Sequence, residues 1–251
     1  MIRRMATATA VMALAATALS APAPADEGTR GPVHPAVVKV KVIGKSVNGK
    51  PIRAWQLGNP KAKRTVVAMA AMHGNELAPR RILWSLRNGR KIRGVNLWVV
   101  PTYNPDGARR HHRKNAHGVD LNRNYPVRWK DLDGAYESGP RPKSERETRV
   151  MMRFLRRTKP RYVVSFHQPL HGVDSSGPKT SKLARRLSRY LHLPRKSFSC
   201  GGKCHGTMTQ WFNKRRSGAA VTVELGRSPK KRYLTKVAPR GLLRAVGGRR
   251  R

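Results

Sequence analysis

Thr65-Val66-Val67-Ala68-Met69-Ala70-Ala71-Met72-His73-Gly74-Asn75-Glu76 is the stretch on which the reading of this 251-residue chain turns. Residues 65–72 form an apolar run with the composition of a buried strand, and the run stops abruptly at polar residues. Open α/β sheets bind their ligands beyond the carboxyl ends of the strands. His73 and Glu76 therefore fall where chemistry is expected. A His and a carboxylate three residues apart can grip one zinc ion from a turn. With a more distant His they leave a fourth position for water, the layout of a catalytic zinc. The distant His is His167, at the end of a second apolar run. A lone His-x-x-Glu is common by chance; two strand-end positions narrow the field without closing it.

Working outward, the runs 96–103, 161–167 and 219–225 match the first, each rich in Val and bounded by Gly, Pro or charged residues. A shorter alternating run, 37–42, and the segment 51–57 flank Ser46-Val47-Asn48-Gly49. Asn-Gly between two such runs is the strongest short hairpin signal. Helices are expected at 77–87, 144–157, 181–193 and 207–214. The second opens with Ser144 and Glu147 at capping-box spacing and carries apolar residues at Val150, Met151, Phe154 and Leu155. Strands alternating with helices argue for an α/β domain with a mostly parallel sheet. Residues 104–143 read as one long polar loop, and loops of that length are usually functional.

The N-terminus reads differently. Arg3 and Arg4 precede an apolar run that ends near Leu19, followed by small residues and prolines up to Ala25. A basic start, a short apolar run and an Ala-x-Ala site are the parts of a secretory signal peptide, with an uncleaved anchor as the alternative. The run falls short of the roughly 20 apolar residues of a membrane span, and no transmembrane span is expected elsewhere. Cys200 and Cys204 fit an oxidising compartment as a small disulfide loop, a zinc pair being the other reading. The 54 Lys and Arg against 12 Asp and Glu give a net charge of +42. Such a surface attracts polyanions. The basic residues run the whole length and no nucleic-acid-reading motif is apparent, so for an exported protein an anionic cell wall or membrane surface is the expected partner rather than a specific nucleic acid. A basic surface that serves only solubility is the plain alternative.

The polar stretch then becomes specific. Asn104-Pro105-Asp106-Gly107, Arg113 and Gly118-Val119-Asp120-Leu121-Asn122-Arg123-Asn124, following His73-x-x-Glu76 and preceding His167 and Glu224, resemble the zinc metallocarboxypeptidases of the carboxypeptidase A-like family. The segments Gly44 to Ile52 and Ser138-Gly139-Pro140 with Ser144 to Thr148 resemble it too, although Arg146 stands where Pro is usual. The resemblance covers roughly residues 37–226. It implies a single-domain three-layer α/β/α fold with a mixed, mostly parallel central sheet. With the N-terminal pattern and the basic end of the chain, the expected division is a signal peptide (1–25), a short linker (26–36), a catalytic domain (37–226) and a basic C-terminal tail (227–251) with one short helix.

The resemblance also implies roles. His73, Glu76 and His167 match the ligands of one zinc ion, Glu224 the general base, and Arg113 the arginine facing the oxyanion. Asn122 and Arg123 match the pair that holds a peptide's free C-terminal carboxylate. The chemistry agrees. Zinc lowers the pKa of its water toward ~7 and a nearby carboxylate can take the proton. Zinc and Arg113 can share the charge that develops in the transition state, and the planar fork of Arg123 suits two carboxylate oxygens. Glu224 in an apolar strand would be a costly buried charge unless paired. Arg113 competes with neighbours in Arg109-Arg110-His111-His112-Arg113-Lys114. His171 and His205 are candidates for lining the cleft. Upstream of Glu224, 204–211 offers no tyrosine to match the mobile one of the family's digestive members.

The block 113–124 looks closest to the bacterial murein peptide amidases, which cut γ-D-glutamyl-diaminopimelate bonds in cell-wall stem peptides. Expected, then, is a secreted or wall-associated enzyme that hydrolyses a C-terminal bond in peptidoglycan peptides. The alternatives are a general carboxypeptidase that trims peptides, an acyl-amino-acid hydrolase of the aspartoacylase type, and a catalytically inactive wall-binding module.

Overall fold

The computed structural model describes residues 34–251. The expected signal peptide, 1–25, and most of the linker lie outside those residues; the linker's last residue, Ala36, is buried in the domain core. The chain begins with β1 (Val37–Lys45) and β2 (Pro51–Gly58), an antiparallel hairpin. Its turn contains Asn48-Gly49, with Gly49 at φ +73°, a conformation glycine adopts without steric cost. Next come β3 (Thr65–Met69), helix α1 (Arg80–Arg87), β4 (Ile92–Arg93) and β5 (Asn96–Val100). Helices α2 (Pro105–Arg110) and α3 (Arg146–Thr158) lead to β6 (Tyr162–His167) and β7 (Leu170–Asp174). The chain ends with α4 (Ser181–Leu191), β8 (Arg195–Lys196), α5 (Met208–Arg215), β9 (Ala219–Gly226), α6 (Ala238–Val246) and β10 (Arg249–Arg250).

The main sheet runs β1-β2-β5-β3-β6-β9-β7-β8. At its centre β5, β3, β6 and β9 are mutually parallel, the four apolar runs of the sequence; β2 and β7 flank them antiparallel. Side chains alternate across it. Val66, Ala68, Leu97, Val99, Val164 and Val221 pack with the apolar faces of α1, α4 and α6. Val67, Met69, Trp98, Val100, Val163 and Ala220 pack against α3 and α5 on the other face. Strands covered on both faces have no need of polar residues at alternate positions, hence the continuous runs. The architecture is the expected three-layer α/β/α with a mixed, mostly parallel sheet.

Three local expectations need correction. The domain does not end at Gly226. Residues 233–246 continue as a π-helical turn (Tyr233–Val237) and α6, which pack on α1 and α4. Leu234, Leu242, Leu243 and Val246 are at most 2% exposed and belong to the core. Each such side chain contributes about 1.5–3 kcal/mol on burial. Two-residue β10 pairs with β4, stitching the end of the chain to the domain. Arginines on the outer face mask this amphipathic pattern in the sequence.

The capping box at Ser144 and Glu147 does not form. The N-cap of α3 is Glu145, without a side-chain cap. Glu147 instead accepts from the Val47 amide (2.9 Å) and from Asn115 Nδ2 (3.2 Å), tying α3 to the hairpin turn and to the long loop. That loop is also not structureless. Asn104 caps α2 by accepting from the Gly107 amide at 2.9 Å, with Pro105 in the first turn.

Candidate active site

Three parallel strands deliver the central groups. The turn after β3 carries His73 and Glu76, β6 ends on His167, and Glu224 lies near the end of β9, directly opposite His167 in register. The turn after β3 is pressed onto α2. A Cβ on Gly74 would stand 2.0 Å from the carbonyl carbon of Gly107, so Gly74 must be glycine for the backbones to meet; a Cβ on Gly107 would instead meet the Lys114 carbonyl oxygen at 2.6 Å. The Gly74 amide donates to the Arg113 carbonyl at 3.2 Å, which brings the long loop to the same place.

His73, Glu76 and His167 are buried, and one ligand atom from each lies within 4.8 Å of the others. Nδ1 of His73 is 2.8 Å from Glu76 Oε1; Nδ1 of His167 is 2.9 Å from Glu76 Oε2 and 3.2 Å from Nδ1 of His73. The outward nitrogens are occupied too. His73 Nε2 is 3.0 Å from Asp120 Oδ1, and His167 Nε2 is 2.9 Å from Ser165 Oγ. Both imidazoles are thus fixed with Nδ1 facing inward, as partners of metal-binding histidines do. Two imidazole nitrogens and a carboxylate are the donor set of a catalytic zinc, so the residues fit the ion.

The electrostatics agree. Burial alone would lower the pKa of His73, but Glu76 and Asp120 push it up to about 9. Burial would raise Glu76 and Asp120, yet the histidines hold Glu76, and His73 with the arginines holds Asp120, well below the usual carboxylate range. The two carboxylates thus hold a positive charge on His73.

The second oxygen of Asp120 accepts from Arg113 Nη2 at 2.7 Å and Nε at 3.0 Å, leaving Arg113 Nη1 3.6 Å from Glu76. Asn122 Oδ1 accepts from the Met208 amide at 3.0 Å, so its Nδ2 has no hydrogen-bond partner among the described residues. Arg123 is only 2% exposed; Nη1 donates to the Asn122 carbonyl, and Nε has no partner among the described residues. Glu224 is 8% exposed and accepts from the Leu170 amide at 3.3 Å. Its pKa is raised by burial, which outweighs the attraction of His167.

All seven residues singled out in the sequence line one cleft of about 330 Å³. His171 and His205, considered for its walls, are not among the lining residues. The disulfide loop Cys200–Cys204 contributes to the wall instead. Sequence reasoning missed Asp120 and Ser165, which orient the histidines, and Tyr136. The Tyr136 ring lies 4.8 Å from the Arg123 guanidinium, 5.5 Å from that of Arg113 and 5.7 Å from Lys203 Nζ. Asp120 sat inside a quoted motif; a carboxylate in an otherwise apolar and amide-rich segment was the available signal.

The comparisons with known proteins follow the same lines. The family model described as zinc carboxypeptidase matches residues 32–169. Murein peptide amidase A of Escherichia coli strain K12 is 31% identical over 190 residues, covering 67% of this chain and 74% of the relative. Carboxypeptidase A6 of Mus musculus is 29% identical over 171 residues, 53% of this chain and 39% of its own. Among solved structures, murein-tripeptide amidase from Escherichia coli O157 superposes with a TM-score of 0.66 at 28% identity, covering 80% of this chain and 90% of that one. Carboxypeptidase A of Helicoverpa armigera shares the fold at 17% identity, with a TM-score of 0.66 over 85% of this chain and 69% of its own. The chain belongs to the zinc carboxypeptidase family and is a zinc-dependent hydrolase of peptide C-terminal bonds.

Proposed function

We propose that this hydrolase is exported and acts on peptidoglycan stem peptides, cutting the γ-D-glutamyl-diaminopimelate bond. The observation that carries the reading is the convergence of Arg113, Asn122 and Arg123 on the cleft that holds Glu224 and the His73–Glu76–His167 group. The likeness to murein peptide amidase A supports the choice of bond.

In this reading Arg123 and the amide of Asn122 bind the substrate's terminal carboxylate. Arg123 is a buried cation whose burial lowers its pKa and whose Nε lacks a partner, so an arriving carboxylate relieves it. Arg113, braced by Asp120, holds Nη1 beside the ligand cluster, where it can meet a carbonyl oxygen as charge develops. His73, Glu76 and His167 would hold a zinc ion, whose Lewis acidity would make water nucleophilic near neutral pH. Glu224 takes the proton from the attacking water and passes it to the leaving amine; its raised pKa suits both halves of that task.

The rest of the cleft supports a diamino, dicarboxylic C-terminal residue. Asp174 lines it, its Oδ1 engaged by the Ser176 amide, and no Lys or Arg pairs with it among the described residues. In a chain with 54 basic residues, an acid left without a cation suits an incoming amine. Lys203 beside Tyr136 offers a further cation for a second carboxylate.

Export rests on the pattern of residues 1–25, and no helix among the described residues is long and apolar enough to cross a membrane. The test compares L-Ala-γ-D-Glu-diaminopimelate with a panel of ordinary peptides that differ in their C-terminal residue. The reading expects kcat/KM for the tripeptide to exceed every α-linked peptide at least ~100-fold, about 2.7 kcal/mol of discrimination. Equal or better cleavage of ordinary peptides would favour the general carboxypeptidase instead.

A further inference from the structure

The acids of this chain are confined to one end of the domain. Apart from Asp26 and Glu27, every Asp and Glu lines the cleft or sits in the turns, loops and helix starts around it, from Glu76 to Glu147, with Asp174 and Glu224 beyond. The opposite edge of the sheet, where the parallel strands begin, is built from segments 60–65, 89–96, 157–162, 179–186, 214–219 and 244–251. None of these contains an acid, and every one contains Lys or Arg.

Two hollows open on that edge. One, of about 520 Å³, lies under the first residues of β3, β6 and β9 and is lined by Lys63, Lys159, Arg161, Lys179 and Lys182. The other, of about 570 Å³, is lined by Arg93, Arg244 and Arg249. Arg64 and Arg186 bridge them, since Arg64 donates to the Val246 carbonyl and Arg186 to the Arg244 carbonyl. The Tyr162 phenol between them reports the local field. Burial would raise its pKa, but Arg161, Arg64 and Arg186 pull it below the ordinary value. The cations thus form a strip longer than one small anion needs, without ion pairs among the described residues.

We infer that this strip is a docking site for a linear phosphodiester polymer of the cell envelope, on the opposite edge of the domain from the cleft. Repeating phosphates match a row of guanidinium and ammonium groups. A flexible chain can follow two joined hollows that no rigid duplex-reading element enters. The choice of an envelope polymer rests on the exported reading proposed above. Docked there, the domain leaves its cleft free for stem peptides.

The experiment measures binding of the zinc-loaded protein to immobilised poly(glycerol phosphate) across a salt series. One variant carries Lys63→Gln, Lys159→Gln and Lys182→Gln in the strip. A control with the same charge change carries Lys39→Gln, Lys41→Gln and Lys45→Gln on exposed positions of β1. The strip variant is expected to bind ~10-fold more weakly at physiological salt, with a shallower salt slope, and the control to change less than 2-fold. Equal losses in both would overturn the site, because binding would then follow net charge alone; no loss in the strip variant would overturn it too, because those lysines would then make no contact with the polymer. A parallel arm with duplex DNA overturns the choice of polymer if DNA binds more tightly through the same lysines. Turnover of the soluble tripeptide should be unchanged in both variants; its absence in the parent protein would fault the proposed reaction and leave the docking result standing.

Discussion

The carboxylate of Asp120 stands between His73 and Arg113, one oxygen 3.0 Å from the imidazole and the other 2.7 Å from the guanidinium. One buried acid therefore aims His73 of the metal-binding group and Arg113, the arginine proposed to meet the oxyanion, together. Asp120→Asn keeps the shape and removes the charge. It should weaken zinc affinity 10–100-fold, the usual cost of losing such a partner, as measured by competition with a chromogenic chelator. Unchanged affinity would mean that the contact is incidental.

Glu224 gives a pH signature that needs no substrate. Burial raises its pKa in the folded, zinc-free protein. Its favourable contribution is therefore complete below the unfolded value of ~4.3 and is lost as pH climbs through the folded value. Glu224→Gln cannot ionise. Melted with excess chelator, that variant should match the parent near pH 4 and exceed it at pH 7 by a few degrees. About 1 kcal/mol moves Tm by ~2–4 °C in a domain of this size. A gap that is constant or shrinks toward pH 7 would contradict the burial argument.

Arg123→Lys separates binding from chemistry. A lysine retains the charge but not the planar fork. KM for a free-acid peptide should rise about 10-fold or more while kcat falls less. The reverse split, seen in steady-state kinetics, would remove Arg123 from carboxylate recognition.

Leu243→Ala probes the end of the chain. The side chain is 1% exposed and packs in the core with Leu187 and Leu242. The expected loss is ~2–5 kcal/mol in denaturant unfolding. A neutral result would return 227–251 to the status of a tail.

How much of this was legible beforehand depends on what each element needed. The four central strands are covered on both faces and so wrote themselves as unbroken Val-rich runs. Their ends bring His73, His167 and Glu224 to one cleft. Edge elements left weaker traces. β7 carries His171 and Gly172 and is exposed at its start, while β8 is two exposed residues whose pairing depends on β7. The short helix expected near the end of the chain was legible, but its docking into the core was not, because Arg240 and Arg244 interrupt the apolar face of α6 in the sequence though not in space. Asp120 meets His73 only across the fold, which spacing along the chain does not encode; Ser165, two residues before His167 on the same face of β6, was legible from strand alternation. Glu147 left its local cap for a partner 100 residues away, a choice that propensity does not register.

The most direct test is mass spectrometry of L-Ala-γ-D-Glu-diaminopimelate incubated with parent enzyme and with Glu224→Gln, each zinc-loaded and chelated. The expected result is release of diaminopimelate only in the zinc-loaded samples, with the variant slower than the parent by ~10²–10⁴-fold. Full turnover by Glu224→Gln, or product formation that survives chelation, would contradict the account.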